Sequence, residues 1–359
     1  MNSSVPHIGI FGRCNTGKST LFNALLGQDA SIVSAVSGTT TDVVRRNIEW
    51  PGLGAAVLID TAGLDDASEL GKSRVAATER VASEVDLGLV FISDGGDSFI
   101  DEFSHKLKKV IFLSDNGIQP VPAAVFPAVA KALRDAVAPV DMTAGLLAAG
   151  QRALLVMPQD SGAPAGRLIS AQTQLIRHLL DKHCTVTCCQ CEEYPSALSN
   201  GADLVITDSQ VLSFVIAHTP DSTPVTTFSI LMANAKGNLA DFVRGASAIN
   251  SLDGKSKVLI AESCTHVPAS EDIGSVKIPG LLRRRFGNEI QIDNVRGNDF
   301  PADLSSYDLV IHCGGCMQTR QFMLSRQQSA SLQGVPMTNY GVAIACLISD
   351  ISRLSFPSS

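Results

Sequence analysis

Two sets of residues in this chain have the types and spacing to do chemistry. The first is "GRCNTGKST", residues 12–20. It fits G-x-x-x-x-G-K-[ST] between an apolar run, "HIGIF", and a segment of helical leucine spacing, "KSTLFNALLG". Gly12 and Gly17 let the backbone turn so that its N–H groups surround phosphate oxygens. Lys18 can reach the β- and γ-phosphates, and the Ser19 hydroxyl can ligate Mg2+. Gly12, Asn15, Thr16, Gly17, Lys18, Ser19 and Thr20 are the candidate phosphate cradle. Two fragments follow in the order a nucleotide switch requires. "SGTTTD" supplies Thr39, Thr40 and Thr41 as candidate switch threonines, and "IDTAG" supplies Asp60 for the metal and the Gly63 N–H for the γ-phosphate. The residues expected to act in hydrolysis are Lys18, Thr40, Asp60 and Gly63.

The second set lies far downstream. "ESCTHVPASED" carries Cys264 and His266 with Glu262, Glu271 and Asp272 nearby, and "IHCGGC" carries His312, Cys313 and Cys316. Each group follows an apolar strand-like run, and ligands in open α/β sheets gather beyond the C-terminal ends of strands. Three cysteines and two histidines in such places suit a metal centre. Zinc would accept three cysteines and a histidine, whereas a four-iron cluster would take three cysteines and leave one iron for a weaker ligand. A further run, "HCTVTCCQC", places Cys184 and Cys188 on one strand face and Cys189 and Cys191 on the other, so its four sulfurs are read as structural.

The elements that must position these groups alternate. Short apolar strands and helix-length segments follow one another along the chain, the pattern of α/β domains with mainly parallel sheets. "HIGIF", "AAVLID", "DLGLVFIS" and "KVIFLS" read as buried strands of a first domain, residues 1–140. A middle domain is expected over 141–235 and a third over 236–359. The fragments "ADLVITDSQ" and "YDLVIHCGG" are alike, as though one architecture were used twice. The formal net charge of -7 argues against a general nucleic-acid binder, whose affinity comes from basic residues neutralising phosphates. No apolar run reaches the ~18–20 residues that a membrane span needs. A cytoplasmic protein with reduced cysteines is expected.

"GRCNTGKST", "GTTTD" and "DTAGLDD" resemble small GTPases of the translation-factor class, above all the tRNA-modification GTPase branch. That resemblance implies GTP and GDP as ligands, Mg2+ at Ser19 and Asp60, and K+ at Asn15. It also places Leu64 where many GTPases carry the water-orienting glutamine, which implies slow hydrolysis. The guanine-reading N-K-x-D is missing after "KVIFLS", where the chain reads "SDNG"; Asp115 and Asn116 are the nearest substitutes.

With C-x-H and H-C-x-x-C downstream, and with "TFSILMANAKGNL" and "VLIAESCTH", the whole chain resembles the [FeFe]-hydrogenase maturation GTPase family. The resemblance implies a [4Fe–4S] cluster on Cys264, Cys313 and Cys316, with His266 and His312 as motif histidines and Glu271 as an exchangeable fourth ligand. It also implies a homodimerising middle segment and a two-iron precursor carried to the [FeFe]-hydrogenase apoprotein, with radical-SAM maturation enzymes as further partners. The rival expectation is a ribosome- or tRNA-associated potassium-type GTPase with a structural zinc.

Overall fold

The computed structural model describes residues 5–27, 43–66, 71–92, 96–114, 121–136, 140–159, 168–263, 272–297, 299–315, 318–348 and 351–358. The chain forms two compact units, residues 1–139 and 140–359.

In the first unit, β1 (His7–Phe11), β2 (Val44–Trp50), β3 (Gly54–Asp60), β4 (Leu87–Ile92) and β5 (Val110–Ser114) form one sheet in the order β2-β3-β1-β4-β5. All pairs are parallel except β2 with β3. The central strands are apolar throughout because helices cover both faces. On one side Ile8, Ile10 and Leu89 pack with Leu21, Phe22 and Val129, and on the other Phe11, Ile59 and Val90 pack with Val81 and Phe103. β2 escapes a reading by hydrophobicity because it is an exposed edge, "VRRNIEW", whose charges suit a strand with one solvated side. The helix Gly71–Glu84 also lacks a strong apolar signature and is visible only in the structure.

The second unit holds two four-stranded sheets of one plan. β6 (Arg152–Val156), β7 (Thr185–Cys189), β8 (Leu204–Thr207) and β9 (Val225–Thr227) run in the order β7-β6-β8-β9. β10 (Lys257–Glu262), β11 (Gln291–Arg296), β12 (Leu309–His312) and β13 (Met337–Asn339) run in the order β11-β10-β12-β13. Every pair is parallel.

The repetition extends to single hydrogen bonds. The Arg152 N–H donates to the Asp203 carboxylate at 2.7 Å, and the Lys257 N–H donates to Asp308 at 2.8 Å. After the fourth strand of each half, Thr227 caps the helix Phe228–Lys236 and Asn339 caps the helix Tyr340–Ile348. The two helices meet at their second residues, where a Cβ on Gly341 would collide with that of Ser229. Equivalent positions touching each other is the mark of an approximate twofold relation. The halves also share one core, in which Leu154 and Val205 belong to the same cluster as Ile260 and Val310. With the two repeats aligned on Arg152 and Lys257, Asp208 of the first half stands where the second half has Cys313.

Candidate functional site

The phosphate loop is built by β1 ending at Gly12 and a helix, Lys18–Leu25, beginning after Gly17. Gly17 precedes the helix at φ 89, and Asn15 turns the loop at φ 62, a left-handed value that asparagine tolerates better than most residues. Lys18 is buried, and burial lowers its pKa; its Nζ donates to the Arg13 carbonyl at 2.6 Å. The Ser19 hydroxyl donates to Asp60 Oδ2 at 2.7 Å, because β3 lies beside β1 with Ile10 opposite Asp60. The two side chains expected at Mg2+ are therefore in contact. Thr16 caps back onto the Arg13 carbonyl at 3.0 Å, while Thr20 is exposed on the helix.

The segment after β3 folds onto the loop. The Leu64 N–H donates to the Gly12 carbonyl at 3.2 Å, and Gly63 lies so near Cys14 that any Cβ would strike its sulfur. The Leu64 side chain is 3% exposed and packs into the core with Phe11 and Ile59. Asp65 accepts the Cys14 N–H at 2.7 Å. Arg13 reaches Asp65 at 3.5 Å and Asp97 at 2.5 Å, with its guanidinium over the Phe99 ring. Burial works to raise the Asp65 pKa, but the Cys14 N–H and Arg13 outweigh it and hold the carboxyl below its ordinary range. Sequence reading assigned no role to Arg13, Asp65 or Asp97. The signal was available only for Asp97, whose place before "SFIDEFS" marks a helix cap. Thr39, Thr40, Thr41, Asp115 and Asn116 lie outside the described residues.

The second candidate site begins at the exits of β10 and β12, adjacent parallel strands with Ala261 opposite His312. The Cys313 N–H donates to the Ala261 carbonyl at 2.8 Å. Ser263 brings its N–H and its hydroxyl to the Cys313 sulfur, each at 3.1 Å. The N–H donates to the sulfur, and the hydroxyl would donate as well to a cysteine bound to metal. Gln318, just before the helix Arg320–Leu332, donates to the Ser263 carbonyl at 3.2 Å, so the chain on both sides of "HCGGC" returns to the β10 exit. Glu262 is 3% exposed, paired with Arg296 at 2.8 Å and bonded to the Tyr340 hydroxyl at 3.2 Å. Its carboxylate is committed to the fold.

His312 is fully buried, and burial, then the charge of Arg326, pushes its pKa down to about 3. Its Nδ1 lies 2.7 Å from the Cys313 carbonyl oxygen and its Nε2 lies 2.7 Å from Arg326 Nη1. Cys264, His266, Glu271 and Cys316 lie outside the described residues. A cavity of about 240 Å3 adjoins the site. Asp208, Ser209, Phe228, Lys277, Gly314 and Tyr340 contribute to its wall, so both halves of the second unit meet there. In "CTVTCCQC", Cys184 packs into the core on one side of its sheet, and Cys189 and Cys191 pack against the core on the other. Burial raises all three thiols. Among the described residues no three His, Cys, Asp or Glu side chains converge as a metal set, and no helix is long and apolar enough to cross a membrane.

Comparison with known proteins covers the chain in three stretches. Residues 7–120 match the 50S ribosome-binding GTPase family, 142–237 the hydrogen maturase F dimerization domain, and 240–355 the hydrogen maturase F tetramerization domain. A probable tRNA modification GTPase MnmE of Cyanidioschyzon merolae is 43% identical over 86 residues, 24% of this chain and 19% of that protein. The GTPase Der of Listeria welshimeri is 33% identical over 113 residues, 32% of this chain and 26% of its own. The chain thus matches about a fifth to a quarter of the length of these curated relatives. An Aquifex aeolicus Era structure with GDP and a fluoroaluminate aligns over 68% of each chain at 18% identity and a TM-score of 0.26. With a P-loop GTPase domain followed by both maturase-specific domains, the chain belongs to the hydrogen maturase F family.

Proposed function

We propose that this protein is a GTP-binding scaffold for [FeFe]-hydrogenase maturation, which holds a [4Fe–4S] cluster and a two-iron precursor and passes the precursor to the apoenzyme. The observation that carries the reading is the seat of Cys313. In a chain with both maturase-specific domains, its sulfur sits at a strand exit, accepts the Ser263 N–H and lies 3.1 Å from the Ser263 hydroxyl. Cys264, Cys313 and Cys316 would hold the cluster, with Glu271 as the exchangeable ligand and His266 near it. A four-iron cluster on three cysteines leaves one iron open, which suits cargo that must leave again. The cavity beside Gly314 gives that cargo a walled place, with Lys277 supplying positive charge for an anionic complex.

In the first unit Lys18 would bind the β- and γ-phosphates, Ser19 and Asp60 would hold Mg2+, and Asn15 would contribute to a K+ site. Thr39, Thr40 and Thr41 are the switch candidates, and Gly63 is placed to sense the γ-phosphate. Leu64 is turned into the core and has no group that orients water, which supports slow GTP hydrolysis used as a switch. We read the second unit as two domains, 141–235 for dimerisation and 236–359 for the cluster, with the apo-hydrogenase and the radical-SAM maturation enzymes as partners in a cytoplasmic assembly.

The test is activation. Protein loaded with a synthetic two-iron complex is mixed with apo-hydrogenase, and hydrogen evolution is measured. Activation by the loaded protein, and none by protein stripped of the complex, is expected. Failure of a demonstrably loaded protein to activate the apoenzyme would overturn the transfer reading.

A further inference from the structure

Both nitrogens of the buried His312 ring are engaged. The Cys313 carbonyl oxygen can only accept, so Nδ1 carries the hydrogen of that 2.7 Å bond. Nε2 then keeps its lone pair and accepts from the Arg326 guanidinium at 2.7 Å. A ring in this state has no lone pair left for iron. The guanidinium is itself fixed. Arg326 is 8% exposed, lies 4.5 Å from the Phe300 ring centre and 4.2 Å from that of Phe322, and donates to the Gly297 carbonyl at 2.8 Å. One side chain on the helix Arg320–Leu332 thereby joins the exit of β11 to the exit of β12.

The consequence falls on a single residue. Cys313 is held at its N–H by Ala261, at its sulfur by Ser263 and at its carbonyl by His312. Of these three restraints, the one at the carbonyl depends on the histidine tautomer, and Arg326 is the contact that selects it. Arginine remains protonated at any working pH, so its charge near the ligand loop is permanent.

We propose that His312 and Arg326 are positioning residues for Cys313 and not ligands: His312 fixes the cysteine carbonyl, and Arg326 locks His312 in the required tautomer while placing a fixed positive charge behind the ligand loop. The proposal rests on the reading that Cys313 binds the cluster. A fixed cation favours the more negative, reduced state of a cluster and so raises its midpoint potential.

The test compares tag-free wild type, His312→Gln, His312→Leu, Arg326→Lys and Arg326→Gln after anaerobic reconstitution. It reads iron retention against a chelator, the EPR-monitored redox titration and pulsed-EPR coupling to imidazole nitrogen. Glutamine can accept from Arg326 through Oε1 and donate to the carbonyl through Nε2. His312→Gln should therefore keep wild-type iron and line shape, while His312→Leu retains iron about tenfold less well. Arg326→Gln should shift the midpoint to a more negative value, with Arg326→Lys between it and wild type. Strong imidazole coupling in wild type that disappears in His312→Gln would overturn the proposal. So would an unchanged midpoint in Arg326→Gln at full iron content. Should Arg326→Gln fail to fold, the two His312 variants decide, and equal iron loss in both counts against positioning. A wild type that takes up no iron removes the Cys313 reading itself, so the two failures are distinguishable.

Discussion

Ser263 meets the Cys313 sulfur twice: its backbone N–H donates to the sulfur, and its hydroxyl lies at hydrogen-bond distance from the same atom, each at 3.1 Å. Only the second can be removed by substitution. Hydrogen bonds to a cluster sulfur stabilise the reduced state, so Ser263→Ala should keep the cluster and lower its potential. One such bond is worth about 1 kcal/mol, or about 40 mV for one electron. A redox titration of the two reconstituted proteins checks this, and an unchanged midpoint would show that the hydroxyl does not face the bound cluster.

The Asp65 carboxylate occupies the Cys14 N–H in the phosphate loop. An incoming γ-phosphate must share this neighbourhood with a negative charge held below its ordinary pKa. Asp65→Asn removes that charge and should tighten binding of a non-hydrolysable GTP analogue by roughly tenfold, ~1.4 kcal/mol, with a smaller gain for GDP. Calorimetry with both nucleotides measures it. Equal affinity before and after the change would mean that Asp65 leaves the loop at no cost.

Leu64 looks like a missing catalytic glutamine, and its burial gives a different answer. A glutamine there would either bury an amide or abandon the core, so Leu64→Gln should destabilise the first unit by roughly 2–3 kcal/mol. It should not restore fast hydrolysis. Thermal melting and a steady-state GTPase assay check both halves of the statement; a large rate gain without loss of stability would contradict the packing argument.

Asp141 accepts from Lys182 at 2.6 Å and lies 3.0 Å from the His178 ring. Burial works to raise its pKa, but Lys182, the Thr143 N–H and His178 together lower it. A carboxylate with a depressed folded pKa stabilises the fold above its unfolded value and loses that contribution as pH falls through the folded value. Stability of the second unit should therefore decline below about pH 4 more steeply in wild type than in Asp141→Asn. Urea unfolding at a series of acidic pH values reads the difference, and parallel curves would exclude the ion pair as a source of stability.

The parts of the structure legible in the sequence are those governed by local rules. β1, its glycine loop and the following helix are readable from apolar runs, glycine positions and leucine spacing, and Gly27 follows the helix cap Leu26 with a positive φ of 66. β2 was not readable, because an edge strand bearing Arg45, Arg46 and Glu49 has no hydrophobic run to betray it. The duplication in the second unit showed only in "DLVITDS" and "DLVIHCG". Its remaining evidence is in backbone hydrogen bonds and strand order, which composition does not record. The links from Arg13 to Asp97 and from His312 to Arg326 join residues far apart in the chain, and side-chain type alone does not announce either pairing. His312 shows the limit most clearly. Its spacing from Cys313 suits a ligand, whereas its buried ring is already bonded on both sides.

Iron uptake at Cys313 is the property on which the proposed cluster site stands or falls. Wild type and Cys313→Ser are purified without oxygen, reconstituted with iron and sulfide, reduced, and compared by EPR and iron content, with GTP binding measured on the same samples. Wild type should give a [4Fe–4S] signal with about four irons per chain, Cys313→Ser should lose that signal, and both should bind GTP with the same affinity. A wild-type protein that binds one zinc and takes up no iron would contradict the proposed cluster site.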